Sequence, residues 1–194
     1  MKKTAHPNEA GYLAGKILVA SPTIGDPRFD RAVVFMCAHE ADHAMGIILN
    51  RPMGALRLPA LFEQLEVKCD IDAPDRAVLD GGPVDRDRGF VLHTADVDLG
   101  EATIEVAEEI GLTATREILE MMASGDAPRR SLMALGYAGW GAGQLEDEIG
   151  ANAWLVAEPD EGLLFDDDYA EKWARALKTL GVTPEFLAAS SGRA

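Results

Sequence analysis

The residues His39-Glu40-Ala41-Asp42-His43 spell the H-E-x-x-H string of zinc peptidases. That chemistry needs a helix, so that two imidazoles project from one face while the glutamate activates a metal-bound water. Here the string lies between two apolar runs, 32–38 and 45–50, that read as strands joined by a short link. In such a hairpin, positions i and i+4 need not converge, so the string reads as a polar connection. With His93 a three-histidine site is conceivable, and a metal-dependent hydrolase using His39, His43 and His93 stands as one alternative activity. Cys37 and His39, two apart on a strand, would share a face and could pair as thiolate and base. An apolar setting suppresses the thiolate, which favours a structural cysteine. The chain has no G-x-S-x-G elbow and no Walker lysine loop. No catalytic residue, metal ligand or cofactor is therefore assigned.

The densest cluster of unusual residues runs from Gly136 to Glu146, with four glycines, Tyr137 and Trp140, the amide of Gln144 and the carboxylate of Glu146. Glycines gather where a chain turns sharply or where another group must approach its backbone. Gly139-x-Gly141-x-Gly143, set between a strand and a helix, echoes the dinucleotide-binding turn. However, Glu146, Asp147 and Glu148 crowd the first helical turn and would repel a pyrophosphate. The pattern predicts instead a turn in which Trp140 plugs the core and Gln144 or Glu146 bonds to local backbone donors. Gly81-Gly82-Pro83 predicts a second tight turn. Arg88 and His93 flank the strand-like GFVL and are the polar groups best placed to line an edge or cleft; the alternative is a surface ion pair for Arg88 and a satisfied core histidine for His93.

The elements that must hold these residues follow from hydrophobic period. Short apolar runs predict strands at 17–20, 32–38, 45–50, 77–79, 89–93, 102–107, 131–138 and 153–157. Leu58, Leu61, Phe62 and Leu65 lie at helical spacing. Thr113 could cap a helix carrying Ile118, Leu119 and Met122, with Gly125 just past its end. Further helices are predicted over 142–149 and from Asp168 to Gly181, and Thr183-Pro184 reads as another helix start. Strands joined by short links come early and helices collect late. The expected fold is a single α+β domain over 1–194, with a mixed, mainly antiparallel sheet and helices packed outside. The ends, 1–12 and 190–194, read as loosely ordered.

The net charge of −15 opposes binding to nucleic acid and to anionic lipid. No basic residue falls between Arg130 and Lys172, an interval that holds ten acids and reads as a solvated face. Two cysteines in dissimilar surroundings argue against a disulfide framework and for a reducing compartment. Met1-Lys2-Lys3 is not followed by the apolar stretch of a signal peptide, and no run approaches the ~20 apolar residues of a membrane span. The expectation is a cytoplasmic protein without a membrane partner.

The order and spacing of several short stretches resemble the YqgE/AlgH family of bacterial proteins. They are Gly15 through Pro22, Asp26-Pro27-x-Phe29-x-Arg31, His39, Gly46 through Pro52, Gly81 through Val84, Arg88 through His93, Leu135 through Trp140, Gly143 through Glu148, and Asn152-x-Trp154-Leu155. The resemblance implies a one-domain bacterial cytoplasmic α+β protein. The family has no assigned activity and so supplies no catalytic residues. Some members are labelled regulators of transcription or of exopolysaccharide production. The family usually has a small residue near His43, so the H-E-x-x-H string here is accidental to it.

The functional expectation is a non-enzymatic module that binds a protein or small ligand at a cleft near Arg88, His93, Trp140, Gln144, Glu146, Gly81 and Gly82. A transcriptional regulator, acting directly or indirectly, is the second reading. Against direct DNA contact, no predicted helix carries a basic recognition face, and only Arg28, Arg31, Arg129 and Arg130 could form a basic spot.

Overall fold

The computed structural model describes residues 12–182. A long, mainly antiparallel sheet curls on itself. Its strands are β1 (Ile17–Ala20), β2 (Val33–His39), β3 (His43–Ile48), β4 (Pro52–Arg57), β5 (Ala77–Asp80), β6 (Val84–Thr94), β7 (Thr103–Ala107), β8 (Ile110–Thr113), β9 (Ser131–Gly141) and β10 (Trp154–Ala157). The order along the main path is β10-β1-β2-β3-β9-β6-β8-β7, and β5 joins β9 in parallel with β4 on its far side. The helices are α1 (Leu58–Gln64), α2 (Arg116–Ser124), α3 (Gln144–Gly150), α4 (Glu161–Phe165) and α5 (Lys172–Thr179).

Three apolar clusters follow from the alternation of side chains along the strands. Val33, Phe35, Ile47, Leu79 and Leu92 meet α4 and α5 through Phe165 and Trp173. Val34, Met36 and Ile48 face the other way, toward Trp140, Trp154 and Leu145 of α3. Val78, Val91 and Met133 are covered by α1 and α2. The α+β class and the mixed, mainly antiparallel sheet are as the sequence predicts.

Strand β9 is the hinge of this arrangement. Residues 133–135 lie between β5 and β6, whereas 138–141 pair with β3. The change of neighbours occurs at Gly136, which sits at φ +73. There the Gly81-Gly82 turn crosses so closely that backbones touch. A Cβ on Gly81 would lie 2.3 Å from the Gly136 carbonyl oxygen, and one on Gly82, itself at φ +148, would lie 2.1 Å from the Tyr137 carbonyl carbon. Opposite Gly136 the partner strand bulges. Between the Val84–Tyr137 and Gly89–Leu135 pairs, β6 inserts Asp85 to Arg88 against that single glycine. Asp85 takes φ +47, and all four inserted residues are exposed.

Several expected elements need correction. The glycine-rich stretch is not a turn through most of its length, because Gly139 and Gly141 are strand residues of β9. Thr113 caps no helix; it ends β8, and α2 follows Thr115. Strands β4 and β8 and helix α4 are not among the expected elements: β4 is mostly exposed, and β8 and α4, though buried in large part, are only four and five residues long, too short to show a period. Helix α5 begins at Lys172 rather than Asp168. The expected Thr183-Pro184 helix start and the ends 1–11 and 190–194 lie outside the described residues; Tyr12 is exposed.

Candidate functional site

Among the described residues, Cys37, His39 and His93 are each held by a structural partner. Cys37 occupies a β-bulge, where the register with β3 slips between Met36 and Ala38. The bulge cancels the shared face expected of positions two apart. Cys37 points with Phe35 into the first cluster, while His39 pairs with Ala44 on the opposite side. The thiol contacts the Phe35 carbonyl at 3.6 Å, and burial pushes its pKa up to about 12.

His39 is buried. Its Nδ1 accepts from the Leu13 backbone N–H at 3.1 Å, which places the ring proton on Nε2. That N–H donates to Glu146 Oε1 at 2.9 Å. Glu146 is held below the usual carboxylate range chiefly by its own backbone N–H, which with a further contribution from His39 outweighs the opposing effect of burial.

His93 is fully buried and carries the other tautomer. Its Nδ1–H donates to the Thr94 carbonyl at 3.0 Å. Its Nε2 therefore accepts the Thr113 hydroxyl at 2.8 Å. Thr113 accepts from Thr103 at 2.8 Å, and Thr103 accepts from the Leu99 backbone N–H at 3.1 Å. Every proton in this chain is assigned, and no ring nitrogen is left for a ligand. Thus His93, expected at an edge or cleft, lies in the core.

His43 stands apart as the exposed first residue of β3, where its Nδ1 contacts Asp42 of the β2–β3 turn at 2.8 Å and Glu40 is nearby. His39, His43 and His93 do not form one ligand set among the described residues.

The remaining expected residues fall into separate groups. Trp140 and Trp154, both buried, pack edge to face at 5.8 Å. Both indole N–H groups donate to one oxygen, Glu148 Oε2, at 2.9 and 2.8 Å. Gln144 Nε2 donates to the other Glu148 oxygen at 2.8 Å, and Gln144 Oε1 accepts from the Gly141 backbone at 3.1 Å. Glu148 is thus the centre of this network, although in the sequence it stands out only as one more acid in the first turn of a helix. Gly81 and Gly82 form the backbone crossing at Gly136. Arg88 is exposed on the β6 bulge, its guanidinium 5.3 Å over the Phe90 ring. Because His93 pairs with Ser131 and Trp140 lies nine residues further along β9, the two are separated by up to about 30 Å of strand.

A concave surface does exist beside the bulge. A cavity of about 350 Å³ opens beneath Arg86, Asp87 and Gly89. Leu61, Val91, Leu119, Met133 and Leu135 supply its apolar lining, and Thr113, Thr115 and Arg116 also line it. Arg86 is tied to Asp80 at 2.9 Å. Arg116 donates to the Leu65 and Glu66 carbonyls at 2.7 and 2.9 Å and to Glu120 at 2.9 Å. The walls are therefore fixed in place. Of the expected site, only the bulge that carries Arg88 adjoins this cavity. The sequence carried a signal for it in Asp85-Arg86-Asp87-Arg88, a charged run interrupting a strand.

Comparison with known proteins agrees with this fold. The AlgH-like family model (DUF179) matches residues 17–185. A UPF0301 protein of Caulobacter vibrioides is 52% identical over 188 residues, covering 96% of each chain. A UPF0301 protein of Bradyrhizobium diazoefficiens is 46% identical, covering 98% of this chain and 92% of its own. The solution structure of the AlgH protein from Pseudomonas aeruginosa, 38% identical, superposes with a TM-score of 0.75 over the whole of both chains. A Corynebacterium diphtheriae protein of 19% identity shares the fold, with a TM-score of 0.69 over 89% and 88% of the two chains. With its fold, its motifs and these relatives in agreement, the chain belongs to the AlgH-like family.

Proposed function

We propose that this protein is a non-enzymatic binding module, and that a small ligand with an apolar body and a hydrogen-bonding head occupies the cavity beneath the β6 bulge. The observation that carries the reading is the bulge itself, four exposed residues inserted against one glycine, two of which, Arg86 and Asp87, rim an apolar recess. Ligand sites are commonly apolar clefts with a few fixed polar groups, and about 350 Å³ lies at the small end of their size range. Structural commitment of Cys37, His39 and His93 supports binding over hydrolysis. The net charge of −15 weighs against direct contact with DNA, so a regulatory role would run through the ligand or a protein partner. A reducing, cytoplasmic setting fits the free, unpaired Cys37 and Cys69. Among the described residues no helix is long and apolar enough to cross a membrane.

A thermal-shift screen of small amphipathic fragments tests the reading. Thr115 makes no capping hydrogen bond, so Thr115→Trp would obstruct the mouth at little cost to the fold. Fragments that raise the melting temperature of the wild type and not of Thr115→Trp are expected. Equal shifts in both, or none in either, would refute the cavity as the site.

A further inference from the structure

A second cleft, of about 420 Å³, lies between the loop before β2, the end of β3 and the start of α5. One wall is built by a clamp. Asn50 accepts from the Val33 backbone at 3.0 Å and donates to the Arg31 carbonyl at 2.9 Å. Arg51 donates to the Asp30 carbonyl at 2.8 Å and to the Arg28 carbonyl. These bonds hold Arg31 at φ +52, a conformation that a residue with a Cβ adopts only when its surroundings enforce it. The guanidinium comes to rest 5.3 Å over the ring of Trp173. Trp173 is itself buried and anchored by an indole bond to the Ala20 carbonyl at 2.8 Å.

The clamp leaves three exposed charged residues, Asp30, Arg31 and Glu171, lining the cleft without an oppositely charged partner among the described residues. Among the described residues, the Arg31 guanidinium makes no hydrogen bond or ion pair, and neither does the carboxylate of Asp30 or Glu171. Opposite charges thus share one recess without pairing with each other. The start of α5 adds to this, because Glu171 gives no side-chain cap and the backbone N–H groups of Trp173 and Ala174 donate to no described residue.

We infer that this cleft binds a small zwitterion of the α-amino-acid class, its carboxylate on Arg31 and the open end of α5 and its ammonium on Asp30 and Glu171. A simple anion would meet two carboxylates in a protein of net charge −15, and a simple cation would meet Arg31. A molecule carrying both charges is repelled by neither wall. The site is separate from the cavity beneath the β6 bulge and does not depend on it.

The test is a calorimetric and tryptophan-fluorescence titration with the common α-amino acids, using acetate and methylammonium as single-charge probes. Arg31→Gly removes the guanidinium at a backbone position that favours glycine, so the variant folds. At least one amino acid should bind more tightly than either single-charge probe and weaken by about tenfold or more in Arg31→Gly, as loss of a charge-assisted contact requires. Binding by none of the amino acids, binding of acetate equal to that of the best amino acid, or unchanged binding in Arg31→Gly would each overturn the inference.

Discussion

Glu148→Ala removes the acceptor shared by two buried indoles. Trp140 and Trp154 are only 4% and 2% exposed, and both donate to the same carboxylate oxygen. An unsatisfied buried donor costs about 1–3 kcal/mol, so two would cost about 2–6 kcal/mol. Glu148 is half-exposed, which lets water reach part of the network and favours the lower half, about 2–4 kcal/mol. For a chain of this length, each kcal/mol moves the melting midpoint by about 2–4 °C, giving a fall of about 5–15 °C. Thermal unfolding followed by tryptophan fluorescence and far-ultraviolet circular dichroism measures it, with exposed Asp147→Ala as the control. Glu148→Gln keeps one acceptor oxygen and should recover much of the loss. If Glu148→Ala melts with Asp147→Ala, the two indoles do not depend on this carboxylate and the reasoning fails.

Other consequences are equally direct. Gly82→Ala adds a Cβ against the Tyr137 backbone at a φ that disfavours side chains, and should cost about 3–5 kcal/mol by urea denaturation, whereas exposed, uncrowded Gly150→Ala should be tolerated. Lys172, fully buried, donates to Asp166 and to the Gly162 and Leu163 carbonyls, so Lys172→Ala should destabilise by about 3–5 kcal/mol in the same assay and Lys172→Met by less. Burial tends to raise the Asp166 pKa, but bonds from Lys172 and Arg175 outweigh it and hold the group below its usual value. The stabilisation from that shift is complete above the unfolded-state pKa, about 3.9, and is lost as pH falls through the folded value; Asp166→Asn should flatten the acid limb of a stability–pH profile. Exposed Cys69 should react with a thiol reagent in the native protein while Cys37 reacts only after unfolding.

The legible part of this fold was its hydrophobic grammar. The runs around Val19, Phe35 and Ile47 read as strands because they are apolar on both faces, and they are buried on both. Gly125, expected just past its helix, takes φ +92. What could not be read was set by distant contacts. Thr113 looks like a cap locally, yet its hydroxyl serves the His93 chain and its backbone ends β8. The bulge at Cys37 exists only in register with β3, so the expected shared face with His39 disappears. Gly81 and Gly82 were legible as unusual, but not as the place where β9 changes neighbours. Arg31 and Trp173 meet across more than 140 residues of chain, and no spacing rule links them.

The proposed binding role requires that the cavity beneath the β6 bulge take up a ligand. Amide chemical-shift mapping of the ¹⁵N-labelled protein, titrated with the fragments that raise its melting temperature, tests this most directly. Saturable shifts concentrated at Arg86–Gly89, Val91, Thr115 and Leu119, and absent from Thr115→Trp, are predicted. Shifts that centre elsewhere, or fragments that bind without moving these amides, would contradict it.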